Sequence, residues 1–199
     1  MKNLLFLRLT TGMLIFLLLF ASCSISVSSS RDGFWGRTIK GNGHIVTEQL
    51  EISDYNQVSI AGSMDVEYAL GHSPKLQCSI DENLLEYVDI YVEKGVLYVS
   101  LKDGSYSPTK FIVKTTSSAL SKVSLAGSGD FVVKTPIRSS GSLSVSLSGS
   151  GDLKFPSTMH YESMGISLAG SGDIVFSDIK TASLSVSLAG SGDVKLKGD

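Results

Sequence analysis

The chain has 199 residues, with 17 Lys and Arg against 19 Asp and Glu, for a formal charge of −2. Its 35 Ser and 20 Gly would suit a disordered segment, but 42% of it is hydrophobic and only 18% charged, which excludes a disordered polyelectrolyte. Only four Pro and no Gly-X-Y period exclude collagen, and the near-neutral balance excludes a basic nucleic-acid binder.

Residues 1–22 read as an export signal. Lys2 and Arg8 bracket a positive start, and an apolar run to Phe20 follows. That run is too short to span a bilayer comfortably. Ala21-Ser22-Cys23 then resembles the lipobox of bacterial lipoprotein signals. The resemblance implies that Cys23 carries lipid and anchors the chain to a membrane. The expected address is the outer membrane of a Gram-negative bacterium, with the periplasmic or surface face left open. Cys78 is then single, and it shares a strand face with Leu76 and Ile80, as a small buried hydrophobe would. Residues 23–38 form a Ser-rich tether, and residues 39–199 one domain.

Six of the seven Tyr lie in the first half of this domain. Ile90 to Val99 reads either as a hairpin turning at Lys94-Gly95 or as two separate strands. A hairpin would oppose Tyr91 to Tyr98 and Val92 to Leu97. These two tyrosines are the candidate contacts for a ligand that stacks on aromatic rings.

A repeat organises the second half. Val123 to Asp130, Val145 to Asp152, Ile166 to Asp173 and Val186 to Asp193 share one pattern, ending in Gly-Ser-Gly-Asp. The period is 20–22 residues. A fainter copy, Val58 to Asp65, lies 65 residues before the first of these, close to three further periods. The array is therefore expected to extend back through the first half in degenerate form. Within each unit the pattern alternates with period 2, the strand signature. Val123, Leu125, Phe131 and Val133 fall on one face; Ser124, Ala126, Ser128 and Asp130 fall on the other. The two glycines fall on the inward parity, where a side chain is absent because the chain bends or backbones approach closely. The remainder of each period, such as Thr135 to Gly141, reads as a return loop.

One unit cannot bury its apolar face alone, whereas stacked units can. The expected fold is all-β: a parallel β-helix or β-solenoid with 20–22-residue coils and a more irregular N-terminal half. The last coil shows no polar cap, so its open edge is a candidate for self-association.

The order Gly41-Asn-Gly-His-Ile, Val58 to Val66, Asp81-Glu-Asn-Leu-Leu and then the Gly-Ser-Gly-Asp series resembles the auto-transporter adhesin head GIN domain family of Bacteroidetes envelope proteins. The resemblance spans about residues 40–199. It implies a secreted or lipid-anchored β-helix-like fold, and it carries no catalytic residues.

Asp130, Asp152, Asp173 and Asp193 stack in such a fold. Unit charges about 4.8 Å apart repel by roughly 1 kcal/mol in water, so something should offset them. Backbone N–H groups are one answer. A cation ladder holding Ca²⁺ between coils is the other. His44, His72 and His160 are scattered and form no metal or triad motif. The leading expectation is a non-catalytic cell-envelope lipoprotein, an adhesin or binding module for a glycan or protein ligand. A structural or stress-related periplasmic lipoprotein is the second reading. A carbohydrate-active β-helix enzyme is the third.

Overall fold

The structure, a computed structural model, describes residues 37–198. The signal segment, Cys23 and the tether up to residue 36 lie outside the described residues. The first half runs through β1 (Ile39–Lys40), β2 (Ile45–Leu50), β3 (Gln57–Gly62), β4 (Asp65–Leu70) and β5 (Lys75–Asp81). A 3₁₀ turn (Glu82–Tyr87) leads to β6 (Val88–Glu93), β7 (Val96–Leu101), β8 (Tyr106–Ser107) and β9 (Phe111–Ser117). The second half holds β10 (Lys122–Gly127), β11 (Phe131–Val133), β12 (Ile137–Arg138) and β13 (Ser142–Gly149). It ends in β14 (Leu153–Gly170), β15 (Ile174–Gly190) and β16 (Val194–Gly198). The fold is all-β, and almost all of it is one curled, 14-stranded sheet.

The repeat units pair in parallel and in register. Val123 lies beside Val145, Val145 beside Ile166, and Ile166 beside Val186. Each rung thus repeats the one before it, and identical parities meet. Val123, Leu125, Phe131 and Val133 are buried, as are Leu143, Val145, Leu147, Leu153 and Phe155 in the next rung. Phe155 and Phe176 stack with centroids 4.0 Å apart and planes 2° from parallel. Such offset or parallel ring contact adds to area burial.

The return segment is not a loop. It contains β12, which pairs with Met159 and His160 of β14, and these pair in turn with Ile179 and Lys180 of β15. Ile137, Met159 and Ile179 point inward and are buried. One inward apolar residue in two of these turns, and two (Met159 and Tyr161) in the third, set too weak an alternation to be read as a strand.

The fainter copy also sits differently from its sequence spacing. β3 is the direct neighbour of β10, with Gly62 beside Gly127. No further rungs of the array lie between them. β7 and β9 instead pair on the other side of β3 and β4, so a later piece of chain precedes an earlier one in the stack. Beyond that point the pairing turns antiparallel: β6 on β7, β5 on β9 and β2 on β5. The irregular first half is therefore a cap on one end of the stack. At the other end, the second half of β15 pairs with β14 alone. Its Leu184, Val186 and Leu188 are 41%, 45% and 51% exposed, whereas their counterparts one rung earlier are buried.

The glycines explain why rungs can sit so close. A Cβ on Gly149, whose φ is +135°, would overlap the carbonyl oxygen of Gly127. A Cβ on Gly151 would overlap that of Gly129. Met64 stands at the second glycine position of the fainter copy. Gly129 rests on its carbonyl, but the Met64 side chain itself adjoins a groove lined by Leu101, Lys102 and Tyr106. The first rung can hold a side chain there because no repeat rung lies beneath it.

Candidate functional site

Two outward features share the surface of the stack. The first is a row of small hydroxyls. Tyr98 lies beside Ser59, and Ser59 beside Ser124; Ser146, Ser167 and Ser187 continue the row. Tyr91 opposes Tyr98 across the β6–β7 hairpin, and Val92 opposes Leu97. The hairpin reading therefore holds. Its turn is made by Lys94 at φ 50° and Gly95 at φ 76°, the left-handed pair that a two-residue hairpin requires. The two tyrosine rings stack with centroids 5.0 Å apart and planes 20° apart. Tyr91 is 43% exposed. The row thus ends in an aromatic platform and continues as a flat face of hydroxyls.

Other tyrosines serve the core. Tyr55 bonds the Thr115 hydroxyl at 2.5 Å, Tyr68 the Ser117 hydroxyl at 2.9 Å, and Tyr161 donates to the Leu120 carbonyl at 2.7 Å. Burial pushes all three phenols up, that of Tyr68 to about 12. Cys78 is buried beside Leu76 and Ile80, and burial, with Glu48 nearby, raises its thiol to about 11.

The second feature is the aspartate ladder. The structure brings Asp130, Asp152, Asp173 and Asp193 together, and Asp65 extends the line. Every carboxylate but the last accepts the backbone N–H of the next aspartate: Asp130 donates to Asp65 at 3.1 Å, Asp152 to Asp130 at 3.1 Å, Asp173 to Asp152 at 3.0 Å, and Asp193 to Asp173 at 3.0 Å. Lys154 lies 2.9 Å from Asp130 and 3.0 Å from Asp152. Lys195 lies 3.1 Å from Asp173 and 3.3 Å from Asp193. Hydrogen bonding to Asp130 and Asp152 raises the Lys154 ammonium. Hydrogen bonding to Lys195 lowers the Asp173 carboxyl. Two ammonium groups therefore hold four carboxylates in pairs.

Sequence reasoning missed these lysines, although their signal was present. Lys154 and Lys195 each follow an aspartate by two residues, and period 2 puts them on its face. Among the described residues, no group of three or more His, Cys, Asp or Glu gathers as a metal site would need.

The cap has its own charged hub. Asp81, fully buried, accepts from the Gly43 N–H at 2.8 Å, the Thr109 N–H at 2.8 Å and the Thr109 hydroxyl at 2.6 Å. Burial alone would raise its carboxyl. The Thr109 hydroxyl and the N–H groups of Gly43, Thr109 and Lys110 outweigh it and hold the pKa at about 2. A Cβ on Gly41 would overlap this carboxylate, so the Gly-Asn-Gly segment wraps directly over it.

Comparison with known proteins follows the same lines. Residues 54–155 and 140–199 match the family described as "Putative auto-transporter adhesin, head GIN domain". A crystal structure from Parabacteroides distasonis, described as a putative lipid binding protein, is 33% identical. The match covers 81% of this chain and 70% of that one, at a TM-score of 0.77. A putative adhesin from the same organism is 25% identical over 81% of this chain and 77% of that one, at a TM-score of 0.65. A putative adhesin from Parabacteroides merdae, 21% identical over 80% and 99% at a TM-score of 0.52, shares the fold. No curated protein matches the chain.

Proposed function

Because the chain belongs to the family described as putative auto-transporter adhesin, head GIN domain, we propose that it is a non-catalytic binding module of the cell envelope. The parallel rungs are read as the coils of a β-solenoid that presents a flat face. Cys23 is read as the lipid anchor holding it at the outer membrane. The observation that carries the binding role is the stacked Tyr91–Tyr98 pair at the head of the serine row, with Tyr91 exposed and Tyr98 half-buried. Stacked tyrosines offer an apolar face with polar tips, and serines beside them offer hydroxyl donors and acceptors. That combination suits a sugar or an extended peptide. It supplies no nucleophile, base and orienting group within reach of one another.

The test is a glycan and matrix-protein binding screen of the soluble 24–199 fragment. Tyr91→Ala is expected to weaken the captured ligand at least tenfold, the scale of an interface anchor. Equal binding by Tyr91→Ala and Tyr98→Ala, or turnover of any glycan, would overturn the reading. A second copy of the chain is the proposed partner of the open β15 edge, where Leu184, Val186 and Leu188 are uncovered. Sedimentation should show a concentration-dependent dimer that Val186→Lys abolishes. A monomer at every concentration would remove that partner.

A further inference from the structure

The return run carries a third outward row. Arg138 lies beside His160, and His160 beside Lys180, on three successive rungs. Strand spacing places the three at intervals of about 4.8 Å, so Arg138 and Lys180 start roughly 10 Å apart. Arg138 and Lys180 are exposed and His160 is half-buried. With Pro136, Ile137 and Thr158 they line a groove of about 390 Å³.

In other charged rows of the stack, opposite charges meet as ion pairs. The aspartates have Lys154 and Lys195, and Lys114 and Lys134 share Glu67. The Arg138–His160–Lys180 row has no such compensation: among the described residues, no carboxylate forms an ion pair with Arg138 or Lys180. Two carboxylates flank the row on the same face: Asp178, which accepts a hydrogen bond from the Thr158 hydroxyl at 2.6 Å, and the exposed Glu162, and neither is ion-paired with Arg138 or Lys180. The imidazole Nδ1 of His160 is buried and has no hydrogen-bond partner. An unpaired buried nitrogen is costly, and an Nδ1–H there would be a donor still lacking an acceptor.

We propose that this row is a binding site for a linear glycan bearing sulfate or phosphate esters. Each ester presents a tetrahedral oxyanion that accepts from a guanidinium or ammonium group. Successive rungs would meet successive substituents along an extended chain. A nucleic acid fits less well, because the groove has no Phe, Tyr or Trp on which successive bases could stack. This site lies on a different run of strands from Tyr91 and Tyr98, and it stands or falls independently of the function proposed above.

The experiment measures binding of dextran sulfate, uncharged dextran, inorganic sulfate and a DNA oligomer to the purified full chain. Dextran sulfate should bind, weaken as salt rises, and far exceed inorganic sulfate, while uncharged dextran should not bind. Arg138→Gln and Lys180→Gln should each weaken it about tenfold with an unchanged thermal midpoint. Lys40→Gln, on the cap, and Tyr91→Ala should leave it unchanged. The side-chain nitrogen signals of His160 should shift as dextran sulfate is added. Equal binding by Arg138→Gln and Lys180→Gln, or a silent His160, would overturn the site. Inorganic sulfate binding as tightly as dextran sulfate, or DNA binding more tightly, would overturn the glycan as its ligand.

Discussion

The stack from Lys122 onward and the cap before it bury the same residue types by opposite means. In the stack, every rung repeats its neighbour, so one solution to packing is copied four times. Val, Leu, Ile and Phe meet their own kind, and glycine meets glycine. In the cap, no two strands are alike. Antiparallel pairs, a 3₁₀ turn, a buried aspartate and paired tyrosines each solve a local problem once. The stack therefore depends on geometry shared by all its rungs. The cap depends on particular polar contacts.

Substitution at the rung glycines should separate the two most sharply. Gly149→Ala sets a Cβ against the Gly127 carbonyl at a φ of +135°. It should cost about 5 kcal/mol or prevent folding, read by denaturant unfolding. Gly165, in the next rung, has nothing within 4 Å of a Cβ, so Gly165→Ala should change stability by less than about 0.5 kcal/mol. Equal costs at the two positions would show that close approach is not what the glycines serve.

Next in size is the aromatic stack. Phe155 is buried against Phe176 and Phe131. Phe155→Ala should cost roughly 3 to 5 kcal/mol by the same measurement, since a rigid stack cannot collapse into the cavity. A loss near 1 kcal/mol would mean that the rungs adjust independently.

The cap should respond to acid first. Asp81 is held at about pKa 2, below its unfolded value near 3.9. Its contribution is fully present above about pH 4 and is lost as pH falls toward 2. Asp81→Asn should flatten stability across that window and lower it at neutral pH. Cys78, on the cap strand β5, reports the same opening. Its buried thiol, raised to about 11, should resist alkylation at pH 8 and become reactive as the cap is acid-loosened and returned to label. Labelling that tracks only global unfolding would join cap and stack into one cooperative unit.

The smallest effect belongs to the aspartate ladder. Lys154→Met leaves Asp130 and Asp152 unbridged at half-exposed positions. The cost should be at most about 1 kcal/mol and should shrink as salt rises. Calcium should not raise the thermal midpoint of the unaltered chain, and chelator should not lower it, if the lysines are the ladder's cations. A midpoint that rises with calcium would favour the metal.

Much of the stack was legible in its residues. Period 2, the inward glycines and the outward serines come from copies of one short motif, and repetition makes each reading self-checking. The Tyr91–Tyr98 pairing was legible because Lys94-Gly95 is a strong turn signal. The return strand was not legible, because Ile137 and Ile179 are each the one inward apolar residue of their turn and only Met159 has a second, Tyr161, on its face. Nor was the order of rungs. The 65-residue gap between Gly62 and Gly127 fits three periods numerically, yet those residues are spent on the cap, and β7 and β9 enter the stack ahead of β3 and β4. The one visible hint was Met64, a side chain where every later copy has glycine.

By itself, the sequence determined which residues face inward and which face outward, because strand parity is a local property of the backbone. It marked the inward glycines as places where the chain bends or backbones approach closely, because a side chain is absent there in all four strong copies of the motif. The tertiary structure decided which rung lies on which, since any copy of the motif could pair with any other. It also decided which charges meet: Lys154 and Lys195 found carboxylates on two rungs, while Arg138, His160 and Lys180 were brought together without an ion pair. The surplus of Ser and Gly is thus a record of packing, and the chemistry of the surface lies in the few charged residues that the rungs align.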